Sequence, residues 1–236
     1  MDSYNQNRDT YIQAEVVDSQ TGSKGIAKTF MANVFLWMFA ALAISALFAY
    51  LFSSNEQLLS YLLNFETGKL NMLGWIVMFA PIGFVLLMSF AYARLSAPAI
   101  TGLFLVYAAI NGISFSFILL TYTASSIIGC FLSAAAMFGV MAFMGYTTDK
   151  DLTSFGRILM MGVIGILIAM LINMFMKSDV MGYVISIIGV MVFTGLTAYD
   201  VQKLKRIGAG VEFEGTEAAG VRKLAIIGAL NLYLDF

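Results

Sequence analysis

The sequence predicts an all-α integral membrane protein. Three observations point there. Hydrophobic residues make up 60% of the 236-residue chain and charged residues only 11%, whereas a soluble domain runs at about 45–50% apolar and about 25% charged. The mean hydropathy is +0.86. The apolar residues gather into six runs, each near the ~20 residues a helix needs to cross a bilayer. The runs lack the period-two alternation of an outer-membrane barrel. This composition excludes an ordinary soluble enzyme and a disordered chain. With 13 basic and 14 acidic side chains there is no charge bias toward nucleic acid. The absence of histidine removes His-based triads, the commonest zinc and haem ligands, and imidazole switches. No enzyme activity and no cofactor are expected. Cys130 lies inside an apolar run and reads as a buried small hydrophobe.

Residues 1–27 are polar and mixed in charge, and read as a flexible cytoplasmic tail. Residues 28–236 form the membrane bundle. Its first run, 30–52, outlasts the about 7–15 apolar residues of a signal peptide and follows a long polar stretch, so it is a span. The second run, 73–93, contains Pro81, which lacks an N–H and frees a carbonyl one turn back. The next four are 97–120, 124–146, 155–176 and 180–199. Small residues recur in them at packing intervals: Gly112 and Ser116; Gly162, Gly165 and Ala169; Gly182, Ser186 and Gly189. Asn111, Asn173, Ser114, Thr194 and Thr197 read as helix-to-helix glue or as bonds back to their own helix. Two connections are long. Residues 53–72 have mixed polarity. Residues 201–223 carry Gly208, Gly210, Gly215 and Gly220 with three glutamates, and read as a mobile connector. The last run, 224–236, makes only about 20 Å of helix against a hydrocarbon core of about 30 Å. It is either cut short or buried within the bundle.

Basic residues orient the chain. With the N-terminus in the cytoplasm, eleven of the 13 lie inside: Arg8, Lys24, Lys28, Arg94, Lys150, Arg157, Lys203, Lys205, Arg206, Arg222 and Lys223. Lys69 and Lys177 lie outside. A bacterial inner (plasma) membrane is the expected location.

Asp235 is the one acid well inside an apolar run. An ionisable group at membrane depth costs about 2.5–3.5 kcal/mol even on insertion scales, so its default reading is a functional site with a partner. Asp235 shares a helix face with Asn231 and Gly228, a small polar stripe suited to a buried crevice. Asp200 closes the sixth run and Arg94 the second, both toward the cytoplasmic side. If the last helix is central, the three can meet.

These residues carry a resemblance. GALNLYLDF, at 228–236, is similar to the signature at the start of the last helix of the transmembrane Bax inhibitor motif family, in its prokaryotic form. TAYDVQK, at 197–203, resembles the family's motif one span earlier. The resemblance implies six helices around a central seventh, which in the family continues past this point. Members have been associated with a pH-sensitive calcium leak. Its proposed sensor is an aspartate pair, which matches Asp200 and Asp235, with a basic residue after the second helix that Arg94 matches by position.

Two carboxylates at close range in a low-dielectric site share a proton readily, and their titration belongs to the pair. Carboxylate oxygens are also ligands that calcium prefers, so proton and transported Ca²⁺ can compete for Asp200 and Asp235. The alternative is a regulatory membrane protein that binds a protease or another integral protein. An intramembrane aspartyl protease is disfavoured, because Ala198–Tyr199 and Tyr233–Leu234 precede the two acids where that class has a GxGD setting.

Overall fold

The computed structural model describes the backbone of residues 2–91, 94–214 and 218–236, with side chains for 27–88, 90, 94–210 and 220–236. Among the described residues, eight helices and one small hairpin follow in order: α1 (Asp2–Ser54), α2 (Glu56–Ser60), β1 (Leu63–Asn64), β2 (Lys69–Leu70), α3 (Met72–Ala91), α4 (Ala97–Thr121), α5 (Ala124–Thr147), α6 (Thr153–Met176), α7 (Asp179–Glu214) and α8 (Ala218–Asp235). The chain is an all-α membrane protein. Among the described residues, five stretches are long and apolar enough to cross a membrane: Ala27–Ser54, Ala97–Thr121, Ala124–Thr147, Thr153–Met176 and Asp179–Gly210. The sixth expected run is α3, whose described apolar part, Met72–Met88, is shorter. The flexible tail expected over 1–27 is, from Asp2 onward, backbone of helix α1, with side chains described from Ala27.

Local chemistry sets the boundaries. Ser96 caps α4, its hydroxyl accepting from the Ala99 N–H at 3.4 Å, with proline just inside the helix. Thr123 caps α5 through the Ser126 N–H in the same way. Pro81 cannot donate to the carbonyl of Val77, four residues back. Ser114 on α4 fills that place, donating its hydroxyl to the Val77 oxygen at 2.7 Å. Thr194, Thr197, Ser133 and Ser186 bond back to carbonyls of their own helices.

Two groups of helices emerge from the packing. In the first, α1 and α8 pack on each other and on α4, with α3 against α4. Phe30, Val34, Met38 and Ala41 of α1 recur at helical spacing and are buried, as are Ile226, Ala229 and Leu232 of α8. In the second, α5 and α6 both pack on α7. Of α6, only Gly156, Leu159 and Ile166 are buried. Its remaining apolar surface faces outward, as it would toward lipid. The groups meet where α7 lies against α1 and α8.

Two expectations are corrected. The connector read over 201–223 is helix as far as Glu214. Val201 and Leu204 are fully buried, and Gly208 lies so near Phe30 and Ala27 that its missing side chain sets the approach of α7 to α1. The glycines and charges suggested a loop, but the spacing of 201, 204 and 208 supplies one apolar face. Cys130 is exposed rather than buried. An apolar run in a membrane helix satisfies its hydrophobicity in lipid, so it does not have to be packed inside protein.

Candidate functional site

Helix α8 is held in one rotation by a buried polar cluster. Tyr233 stands edge-on to Phe104 and Tyr107, at centroid distances of 6.1 and 5.5 Å. Its hydroxyl lies 2.7 Å from the hydroxyl of Ser45 on α1. Ser45 Oγ also lies 2.7 Å from the Ala108 carbonyl on α4. A carbonyl only accepts, so the single Ser45 proton goes there and Tyr233 donates to Ser45. Asn111 Nδ2 completes the cluster, donating to both Tyr107 and Tyr233 at 3.1 Å. Three helices are thereby bound through hydroxyl and amide groups that bond to one another.

This anchor decides where Asp235 points. Two residues after Tyr233 is about 200° around a helix, so Asp235 turns away from α1 and α4 and toward α7. There its carboxyl lies close enough to that of Asp200 for each to act electrostatically on the other. Both residues are half-buried. Oδ2 of Asp235 is fully buried and has no hydrogen-bond partner among the described residues. A cleft of about 360 Å³ opens beside it, lined by Ala134 and Phe138 of α5, Val190, Thr194 and Thr197 of α7, and Leu234. Lys203, one turn beyond Asp200, places a positive charge that acts on it.

The other expected residues lie as follows. Gly228, two turns before Asp235 on the same face, is buried against Leu204 and Val34, and allows α8 to close on α7. Asn231 is half-buried and makes no hydrogen bond among the described residues. Arg94 is exposed in the turn after α3. Among the described residues the ion pair present is Arg206–Asp151, so Arg94 pairs with neither aspartate.

The sequence reading missed two features. One is the Ser45–Tyr233–Asn111 cluster. The only hints of it were Tyr107 and Asn111 at i, i+4 spacing within one apolar helix, and the tyrosine of LYLDF. The other is a polar clasp between α7 and the α5–α6 connection. Gln202, 5% exposed, accepts from the Leu152 N–H at 2.9 Å and donates to the Lys150 carbonyl at 2.7 Å. Arg206 donates to Asp151 at 2.8 Å and to Thr153 at 3.1 Å. The hydroxyl and N–H of Thr153, and then Arg206, hold the Asp151 carboxyl down to about 2. Folding thus favours the ionised form. The contribution is present above the ordinary carboxylate range and is lost only as pH falls toward 2. Asp151 cannot supply a response near neutrality.

Comparison with known proteins converges on the same elements. The family model described as inhibitor of apoptosis-promoting Bax1 matches residues 27–236, the whole bundle including both aspartates. The chain is similar to the inner membrane protein YbhL of Escherichia coli, with 39% identity over 93% of this chain and 91% of that one. It is also similar to a protein of Rickettsia prowazekii, 38% identical over 92% and 88% of the two chains, and to one of Deinococcus radiodurans, 38% identical over 89% and 85%. A match across every span, with a membrane bundle to fit it, makes this chain a multi-pass membrane protein of the Bax inhibitor family.

Proposed function

We propose that the protein is a pH-sensitive calcium leak of the bacterial inner membrane, gated by the Asp200–Asp235 pair. The observation that carries this reading is the pairing of two carboxyls at the junction of the two helix groups, one of them with a buried oxygen that has no partner among the described residues. With one shared proton the pair holds α7 to α8. Without it, two negative charges repel across the junction unless a cation enters. Ca²⁺ takes about 6–8 oxygen ligands, and among the described residues no third acid joins the pair. That donor set suits a partly hydrated ion in passage. Lipid is the surrounding partner, and no covalent chemistry is involved.

Protein reconstituted in liposomes should pass Ca²⁺ down its gradient, with a rate that changes between about pH 6 and 8, where a proton shared by two shielded carboxyls exchanges with solvent. Flux equal to that of empty liposomes at every pH would remove the leak and leave the regulatory reading.

Orientation is tested separately. With Cys130 replaced, a cysteine at exposed Ala209, in the cytoplasmic extension of α7, should resist an impermeant thiol reagent added to intact cells. A cysteine at exposed Ser60 should be labelled. Labelling of the Ala209 position would invert the topology.

A further inference from the structure

The turn of α7 that carries Asp200 is gripped from outside the aspartate pair. The Gly145 backbone approaches that of Ala198 closely enough to exclude any side chain, and Gly156 lies against the Tyr199 ring. One turn further on, Gln202 takes up backbone groups of the α5–α6 connection. Among the described residues the Leu152 N–H and the Lys150 carbonyl bond to Gln202, while the neighbouring Thr153 N–H bonds to Asp151. A buried glutamine whose amide spends both ends on a neighbouring loop, two residues from the candidate sensor, does more than fill space.

We propose that Gln202 is a positioning residue for Asp200. It fastens the α5–α6 connection to α7, so that α5, α6 and α7 present Asp200 to Asp235 as one unit. Three features support this: α5 and α6 pack mainly on α7, the aspartate pair sits where this unit meets α8, and the fastening residues immediately follow Asp200. Arg206 and Lys205 extend the clasp on the exposed side, the latter donating to the Tyr146 carbonyl at 2.7 Å. Among the described groups, Lys203 of α7 is the charge that bears on the pair, through Asp200, while Arg206 and Asp151 pair with each other on the exposed side of the clasp. Gln202 itself does not titrate, so replacing it alters the pair's position without altering its charge.

The functional consequence rests on the proposed leak, whereas the fastening is measured without flux. In full-length protein carrying Cys130→Ala and Leu152→Cys, Gln202→Met keeps the side-chain length and removes its hydrogen bonds. Labelling at position 152 by a soluble thiol reagent should quicken about fivefold, the weight of roughly one net hydrogen bond. In a second background, Asp200→Cys with Asp235→Cys, a short bifunctional thiol reagent should link α7 to α8, with a yield that falls when Gln202→Met is added. With both aspartates intact, the same substitution should move the pH midpoint of Ca²⁺ flux by about half a unit, since displacing one carboxyl changes how the pair shares its proton. A residue that merely stabilised the fold would lower flux equally at every pH. Unchanged labelling or an unchanged cross-link yield overturns the proposal, as does an unchanged midpoint in a leaking protein. If the parent protein does not leak, the proposed function fails alone, and the labelling and cross-linking still decide the fastening. Should Gln202→Met not fold, Gln202→Asn, uncharged and one methylene shorter, weakens the bonds to Leu152 and Lys150 and should produce the same changes at smaller size.

Discussion

Asp235→Asn in reconstituted protein flattens the pH response of Ca²⁺ flux while a measurable flux persists. The amide keeps the shape of the carboxyl and can still hydrogen-bond to Asp200, but it has no proton to share and no charge to repel with. Asp200→Asn should act alike, because the titration belongs to the pair. The double variant should be no worse than either single one, since residues that act as a unit do not contribute additively. A pH dependence that survives in Asp200→Asn/Asp235→Asn would keep a leak but place its sensor elsewhere. Arg94 serves as the comparison. It is exposed and pairs with neither aspartate, so Arg94→Ala should leave both basal flux and midpoint unchanged.

The same glycine-to-alanine substitution should have opposite signs at two places on one helix. At Gly145 an added methyl would overlap the Ala198 backbone carbonyl, and backbone cannot give way as a flexible side chain does. Gly145→Ala therefore forces α5 off α7, at about 1–3 kcal/mol or more, the range for overpacking. At Gly139, less than two turns earlier, the same methyl would meet nothing within 4 Å. Gly139→Ala should be neutral or stabilising by up to about 1 kcal/mol, the helix-propensity difference between the two residues. Thermal unfolding in detergent reads both. Gly112, whose methyl would overlap the Ser45 backbone, should behave like Gly145. Equal melting temperatures for Gly145→Ala and Gly139→Ala would show that the close approach of α5 to α7 is not a rigid constraint.

Pro81 and Ser114 show how far sequence reasoning reaches. That the proline frees a carbonyl follows from covalent structure alone. That Ser114 of α4 supplies the missing donor follows only from the packing of α3 on α4. Glycine spacing divides in the same way. Gly112 was among the small residues read as helix contacts and is one, whereas Gly165 and Gly189, equally well spaced, have open space beside them. Small residues permit close approach, but a partner backbone must be present to use it.

Membrane spans are legible because each is decided by its own hydrophobicity against the bilayer, a one-dimensional property. The same holds for the caps and for the cost that marks Asp235 as unusual. Which way a helix faces is decided by partners distant in sequence, and no local pattern contains them. Tyr233 turns α8 because Ser45 and Asn111 meet it from α1 and α4, and only that rotation aims Asp235 at Asp200. Gln202 reads as one more polar residue at a helix end until the α5–α6 connection folds over it. The sequence by itself determined a multi-span bundle with an acid where none is cheap. The tertiary structure decided that this acid faces a second one, because a buried polar group takes whatever partner the packing places within its reach.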